Sequence, residues 1–187
     1  MQQYYCYGLN IACDTQIIGL ELRDSLPKPD INVYWHSPFD SQKLNWQNCR
    51  AHAFRNRPRI TTSTATNDTE NFYRFEYDMA RFGKVTSVIA TNSKQVWLDF
   101  PAKMTVADRS SLFLGTILGS ILRLKGYLCL HSSVLRVDRK ALLLIGASYA
   151  GKSTTAAALN EHSDVSLIAD DIAVLKPNLI EPHHFDV

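Results

Sequence analysis

The stretch Gly146-Ala147-Ser148-Tyr149-Ala150-Gly151-Lys152-Ser153 constrains this chain more than any other. It fits G-x-x-x-x-G-K-[ST], in which glycines let the backbone wrap a phosphate while a lysine and a hydroxyl follow at fixed spacing. The apolar run Ala141-Leu142-Leu143-Leu144-Ile145 before it reads as a buried parallel strand, and the Ala-rich segment Thr154–Leu159 after it as a helix. Strand, glycine loop and helix N-terminus together make an anion site, because backbone N–H groups converge there and the helix dipole adds positive charge. Gly146, Ala147, Ser148, Tyr149, Ala150, Gly151, Lys152, Ser153 and Thr154 are therefore expected to cradle the phosphates of a ligand. Lys152 would reach the β- and γ-phosphates, and the Ser153 hydroxyl would ligate Mg²⁺.

An acid is expected downstream. The apolar run Val165-Ser166-Leu167-Ile168-Ala169 ends in Asp170-Asp171, where such proteins place a Mg²⁺-binding carboxylate. Neighbouring strand residues point to opposite sides. One acid can thus serve the metal, through Ser153 or water, while the other faces an acceptor hydroxyl as general base. His131, in Leu130-His131-Ser132-Ser133-Val134, opens the strand expected to pair with the loop's strand. On the residues alone it reads first as structural. His36, His52 and His162 have no motif partner, and His183-His184 is either a metal-binding pair or a solvated one.

Composition excludes several other classes. A formal net charge of +2 is too small to argue for nucleic acid or an acidic membrane surface. Cys6, Cys13, Cys49 and Cys129 are widely spaced without a C-x-x-C pair, so a zinc knuckle or disulfide framework is not expected. Met1-Gln2-Gln3-Tyr4-Tyr5 lacks the basic start and apolar core of a signal peptide. Leu112–Leu130 is strongly apolar, but it carries Arg123 and Lys125 and three glycines, so it reads as a buried helix running into a strand. A cytoplasmic protein is expected.

The pattern divides the chain into a β-rich region over 1–104 and a helix plus phosphate-binding domain over 105–187. In the first, Tyr4–Tyr7, Ile11–Ile18 and Ile31–Trp35 are strand-like, with a turn at Pro27-Lys28-Pro29-Asp30. Thr61–Thr69 is either an edge strand or a loop. Phe72–Tyr77, Val85–Ala90 and Gln95–Phe100, with turns at Gly83 and Thr91-Asn92-Ser93, suggest an antiparallel meander. In the second, Thr105 is an N-cap with Asp108 in the first turn. Apolar residues from Leu112 to Leu124 give the helix a broad buried face, and Gly126 ends it. Strands Leu128–Val137 and Ala141–Ile145 follow, then the loop, its helix and Val165–Ala169, which Ile172–Leu175 extends.

The order Leu130-His131-Ser132-Ser133-Val134, short turn, apolar strand, GASYAGKS, Ala-rich helix and Ala169-Asp170-Asp171 resembles the HPr kinase/phosphorylase family. The likeness is to its C-terminal kinase domain, related to the phosphoenolpyruvate carboxykinase type of P-loop fold. Upstream, Tyr7-Gly8-Leu9 and the Leu-rich helix are similar to a subgroup found in peptide-tailoring gene clusters, lasso-peptide clusters among them. Those kinases phosphorylate serine in a precursor peptide.

The resemblance implies an α/β protein in which a β-rich (α+β) region precedes an incomplete P-loop kinase domain. It implies an ATP- and Mg²⁺-dependent serine kinase acting on a peptide or small protein, without nucleic acid or membrane, in a family whose members are often homo-oligomers. His131, Lys152 and Asp170 would be catalytic, Asp170 as base for the acceptor serine. Ser153 and Asp171 would serve the metal. A nucleotide- and peptide-binding module without catalysis, and a small-molecule kinase, remain open beside it.

Two departures from the family pattern stand out. Tyr149 occupies a position where the family usually has Gly; if φ there is positive, Tyr costs about 1–2 kcal/mol. The family's downstream metal-binding Glu and catalytic Arg have no counterpart before Val187, so an incomplete copy with a small, marginal core is expected.

Overall fold

The computed structural model describes residues 1–25, 27–37, 39–52, 59–92, 94–177 and 185–186. The fold is mixed α/β and strand-rich, in two compact units, Met1–Phe113 and Leu114–Val187. Ser93, His183-His184 and Val187 lie outside the described residues.

The first unit is an eight-stranded sheet. Its strands are β1 (Gln2–Cys6), β2 (Leu9–Cys13), β3 (Ile31–Tyr34), β4 (Gln47–His52), β5 (Arg59–Thr66), β6 (Asn71–Met79), β7 (Gly83–Ala90) and β8 (Gln95–Asp99), in the order β1-β2-β3-β8-β7-β6-β5-β4. Tyr7 and Gly8 join β1 to β2 with φ of 50° and 76°, the paired positive angles of a two-residue hairpin turn. The meander β6–β7–β8 is antiparallel as expected, with Gly83 at φ 100° where β7 begins. The threonine run resolves as β5, an interior strand covered at the edge by β4. Strand character in the Ile11–Ile18 stretch stops at Cys13. There the Asp14 carboxylate accepts hydrogen bonds from the backbone N–H groups of Trp35 and His36, which anchors the end of β3.

Both faces of this sheet are buried around β7 and β8. Val33, Val85, Ile89, Val96 and Leu98 lie on or next to one face. On the other, Ala65, Phe72, Val88 and Ala90 form a cluster against which Phe39, Leu44, Trp46 and Trp97 pack. All four cysteines are free thiols. Burial pushes Cys6 up to about 11 and Cys13 up to about 12, so at neutral pH both are unreactive.

The helical stretch spans α1 (Val106–Leu112), a π-helical turn (Phe113–Ile117) and α2 (Leu118–Leu124). Thr105 and Asp108 cap it reciprocally: the Asp108 N–H donates to Thr105 Oγ1 at 3.1 Å and the Thr105 N–H to the Asp108 carboxylate at 3.0 Å. The Thr105 hydroxyl, then its backbone N–H, hold Asp108 below its ordinary pKa. Thr105→Ala is expected to cost about 1 kcal/mol, a fall in Tm of about 2–4 °C for a chain of this size. Thermal unfolding followed by circular dichroism checks it, and an unchanged Tm would show that the box contributes nothing.

At the other end Gly126 takes φ 88°. Its N–H bonds the Arg123 carbonyl at 2.9 Å, and the Tyr127 N–H bonds Leu122 at 3.0 Å. This is the Schellman termination that glycine permits. Ile117, Leu118, Ile121 and Leu122 are buried, as the apolar face predicts. Among the described residues no helix is long and apolar enough to cross a membrane.

The second unit departs from expectation in its strands. Leu128–Val137 is not one strand but two, β9 (Leu128–Leu130) and β10 (Ser132–Val137), and they belong to different sheets. Nor is β12 (Val165–Ala169) extended past the acidic pair. Ala173–Pro177 forms β13, which pairs with β9 and with β14 (Phe185–Asp186), whereas β12 pairs with β10. Strand β11 (Lys140–Ile145), which leads into the glycine loop, is neither parallel nor fully buried. It runs antiparallel to β10 at the edge of the sheet β11-β10-β12, with Leu142 43% and Ile145 66% exposed. Leu135 of β10 is fully buried between Leu142 and Leu167. Helix α3 (Lys152–Leu159) covers this small sheet, chiefly against β10, and buries Ala156.

Candidate functional site

The loop between β11 and α3 has the backbone that its glycines foretell. Gly151 lies at φ 83°, and a Cβ on Gly146 would meet the Ala150 methyl at 3.4 Å. Tyr149 adopts φ 66° with its side chain fully exposed. This is a left-handed conformation that side-chain-bearing residues enter at a cost of about 1–2 kcal/mol, and no side-chain burial offsets it. The Thr155 N–H bonds the Gly151 carbonyl at 2.8 Å and starts the helix. Lys152 turns back over its own loop, its Nζ donating to the carbonyls of Gly146 at 3.1 Å and Ala147 at 3.0 Å.

Opposite the loop, strand register brings the other groups in. Val134 pairs with Ala169, so Ser133, one residue back on β10, faces Asp170 just past the end of β12. The Ser133 hydroxyl donates to Asp170 Oδ1 at 2.5 Å, and the Ser153 hydroxyl donates to the same oxygen at 3.1 Å. These bonds favour the charged form: Ser133 foremost, then Ser153, the Asp171 N–H and His131 hold Asp170 below its ordinary pKa, against a smaller upward push from burial. Asp170 is an anion at neutral pH.

His131 and Asp171 sit where the paired strands change sheets. On one side Leu130 faces Ala173, and on the other Val134 faces Ala169. Asp171 is at φ 75°, and its carbonyl accepts a hydrogen bond from His131 Nδ1 at 2.9 Å. A carbonyl oxygen only accepts, so Nδ1 carries a proton in this contact of an exposed imidazole. Asp171 therefore meets His131 through its backbone, and the carboxylate beside Ser153 is that of Asp170.

Ser133 was not singled out in the sequence as a functional residue. Its only sequence signal is its place two positions beyond His131, and that becomes informative only once β10 is known to lie beside β12. Its neighbour Ser132 is fully buried, and its hydroxyl has no hydrogen-bond partner among the described residues.

Two hydroxyls, an anionic carboxylate, an exposed imidazole, a lysine and a left-handed glycine loop thus meet at one end of the small sheet. Ser153 Oγ and Asp170 Oδ1 are the hard oxygen donors of the group. Among the described residues no three His, Cys, Asp or Glu side chains are grouped to hold a metal ion. A magnesium ion needs no such cage, since it is commonly held by one or two carboxylates together with waters and substrate phosphates. Comparison of the chain with protein-family models, with curated proteins and with solved structures finds no match.

Proposed function

We propose that this protein is an ATP-dependent serine kinase of the HPr-kinase type, acting on a peptide or small protein. The observation that carries the reading is the shared oxygen of Asp170, which receives the hydroxyls of Ser153 from the phosphate loop and Ser133 from β10. Backbone N–H groups of Gly146–Ser153 and the Lys152 ammonium would bind the nucleotide phosphates. Ser153 and Asp170 fit a magnesium ion, which when bound neutralises charge on the phosphate oxygens. Asp170, already an acceptor for two hydroxyls, would orient the acceptor serine by taking its O–H hydrogen bond. A weakly basic carboxylate suffices, because phosphoryl transfer passes through a loose transition state that asks mainly for alignment and charge neutralisation. His131 would fix the turn at Asp171 and hold Nε2 towards solvent.

The test is transfer of labelled phosphate from ATP to a serine-containing precursor peptide, with dependence on Lys152 as the criterion. ATP affinity without turnover would instead favour a nucleotide-binding module.

Tyr149 makes a separate prediction. A penalty on the left-handed angle lowers the fraction of loops ready to receive phosphate, and apparent affinity falls by that fraction. Removing about 1–2 kcal/mol of strain with Tyr149→Gly is expected to tighten ATP binding about fivefold or more by calorimetry. Unchanged or weaker affinity would refute it.

A further inference from the structure

The first unit holds a cavity of about 260 Å³ that the phosphate site does not use. It lies beside the cluster where Phe39 packs on the sheet. Its floor is two rungs of one sheet face: Arg74 of β6 is in line with Trp97 of β8, and Glu76 of β6 with Asp99 of β8, through β7. Phe39 completes the aromatic wall with Trp97, their ring centroids 4.7 Å apart.

The charges are not evenly available. Arg74 is occupied: its guanidinium lies 4.4 Å over the Trp46 ring and its Nε donates to the Ser63 hydroxyl at 2.9 Å. Among the described residues the one ion pair of Glu76 is with Lys84, at 3.4 Å and with the lysine largely exposed, a kind of pair that is weak and readily exchanged. Asp99 makes no ion pair among the described residues. Two carboxylates therefore face a space walled by aromatic rings, the surroundings that attract an organic cation. The volume falls just below the roughly 300–1,000 Å³ of pockets for drug-sized ligands, which suits one long side chain.

We infer that this cavity binds the basic side chain of a peptide segment, its aliphatic stem against Phe39 and Trp97 and its guanidinium or ammonium head between Glu76 and Asp99. The inference stands on the first unit alone and holds whether or not the second transfers phosphate.

The full chain is titrated by calorimetry and tryptophan fluorescence with acetyl-Ala-Arg-Ala-amide, its lysine counterpart, the neutral citrulline isostere, and agmatine as a free cation. The two basic tripeptides are expected to bind saturably, and more weakly as salt rises. The citrulline peptide is expected to bind about tenfold more weakly, because charge-assisted bonds are roughly twice as strong as neutral ones. Glu76→Gln and Asp99→Asn are each expected to weaken the arginine peptide by about fivefold, the upper range for a partly exposed pair. Both are near-isosteric changes, and unchanged circular dichroism shows that the variants are folded. Absence of saturable binding, equal affinity for the citrulline peptide, or full affinity in both variants would overturn the inference. Agmatine binding as tightly as the arginine peptide would overturn its assignment to a peptide.

Discussion

Lys152→Ala is expected to lower phosphate transfer to a serine peptide by at least about 100-fold, the usual consequence of removing one preorganised group that meets developing charge. The structure makes the substitution a clean one. Among the described residues Nζ bonds the carbonyls of Gly146 and Ala147, acceptors on an exposed loop that water can satisfy. The cost in stability should stay below about 1 kcal/mol, and an unchanged Tm separates a lost function from a lost fold. Those same two carbonyls hold the ammonium over the loop, where a phosphate bound by the loop would meet it. Lys152→Arg is not expected to rescue, because a planar fork cannot occupy the place of a compact ammonium between two carbonyls. Transfer that survives Lys152→Ala would overturn the kinase reading for this loop.

What the sequence revealed and what it hid divide along a physical line. Features decided within one turn of chain were legible: the Thr105–Asp108 cap, the Gly126 termination and the turn before β7, while the sequence left the sign of φ at Tyr149 open and the structure makes it positive. Pairings between strands adjacent in the chain, β6–β7–β8 and β10–β11, were legible as well, but the sheet position of a strand and pairings between strands distant in the chain were not. The run Ala141–Ile145 is as apolar as a central parallel strand, yet it lies at a sheet edge antiparallel to β10. Hydrophobicity reports a preference for burial, not the identity or direction of the partner. For the same reason, apolar residues continue through His131 and Asp171 and mask two changes of sheet.

Those changes are coupled, and the coupling builds the site. β9 and β13 leave as a pair where β10 and β12 begin and end as a pair, with the His131–Asp171 bond across the junction. The junction turns Asp170 towards Ser133 and Ser153. A chain read one strand at a time finds His131, Lys152, Ser153 and Asp170. Only the register between β10 and β12 adds Ser133.

Asp170→Asn tests the centre of that arrangement. The amide keeps the size of the carboxylate and one acceptor oxygen, so the hydroxyls of Ser133 and Ser153 retain a partner while the negative charge is lost. Transfer is expected to fall by about 10²–10⁴, the range for a group that handles the proton of a reacting hydroxyl. Magnesium-dependent nucleotide binding should weaken, and binding measured in chelator should not.

The pH dependence gives an independent reading. Ser133 first, and Ser153 after it, hold Asp170 below its ordinary pKa. Its contribution to stability is therefore present above the unfolded carboxylate value of about 3.9 and disappears as pH falls through the lower folded value. The asparagine variant should lack that acid-side loss, seen as a flatter dependence of Tm on pH in the acid range. Ser133→Ala should shrink the loss, because removing the largest of the lowering contacts raises the folded value towards the unchanged unfolded one. If Asp170→Asn keeps transfer within about threefold of the parent, far above the loss expected of a proton-handling group, the carboxylate has no part in the reaction, and the shared oxygen is only a structural link between β10, β12 and α3.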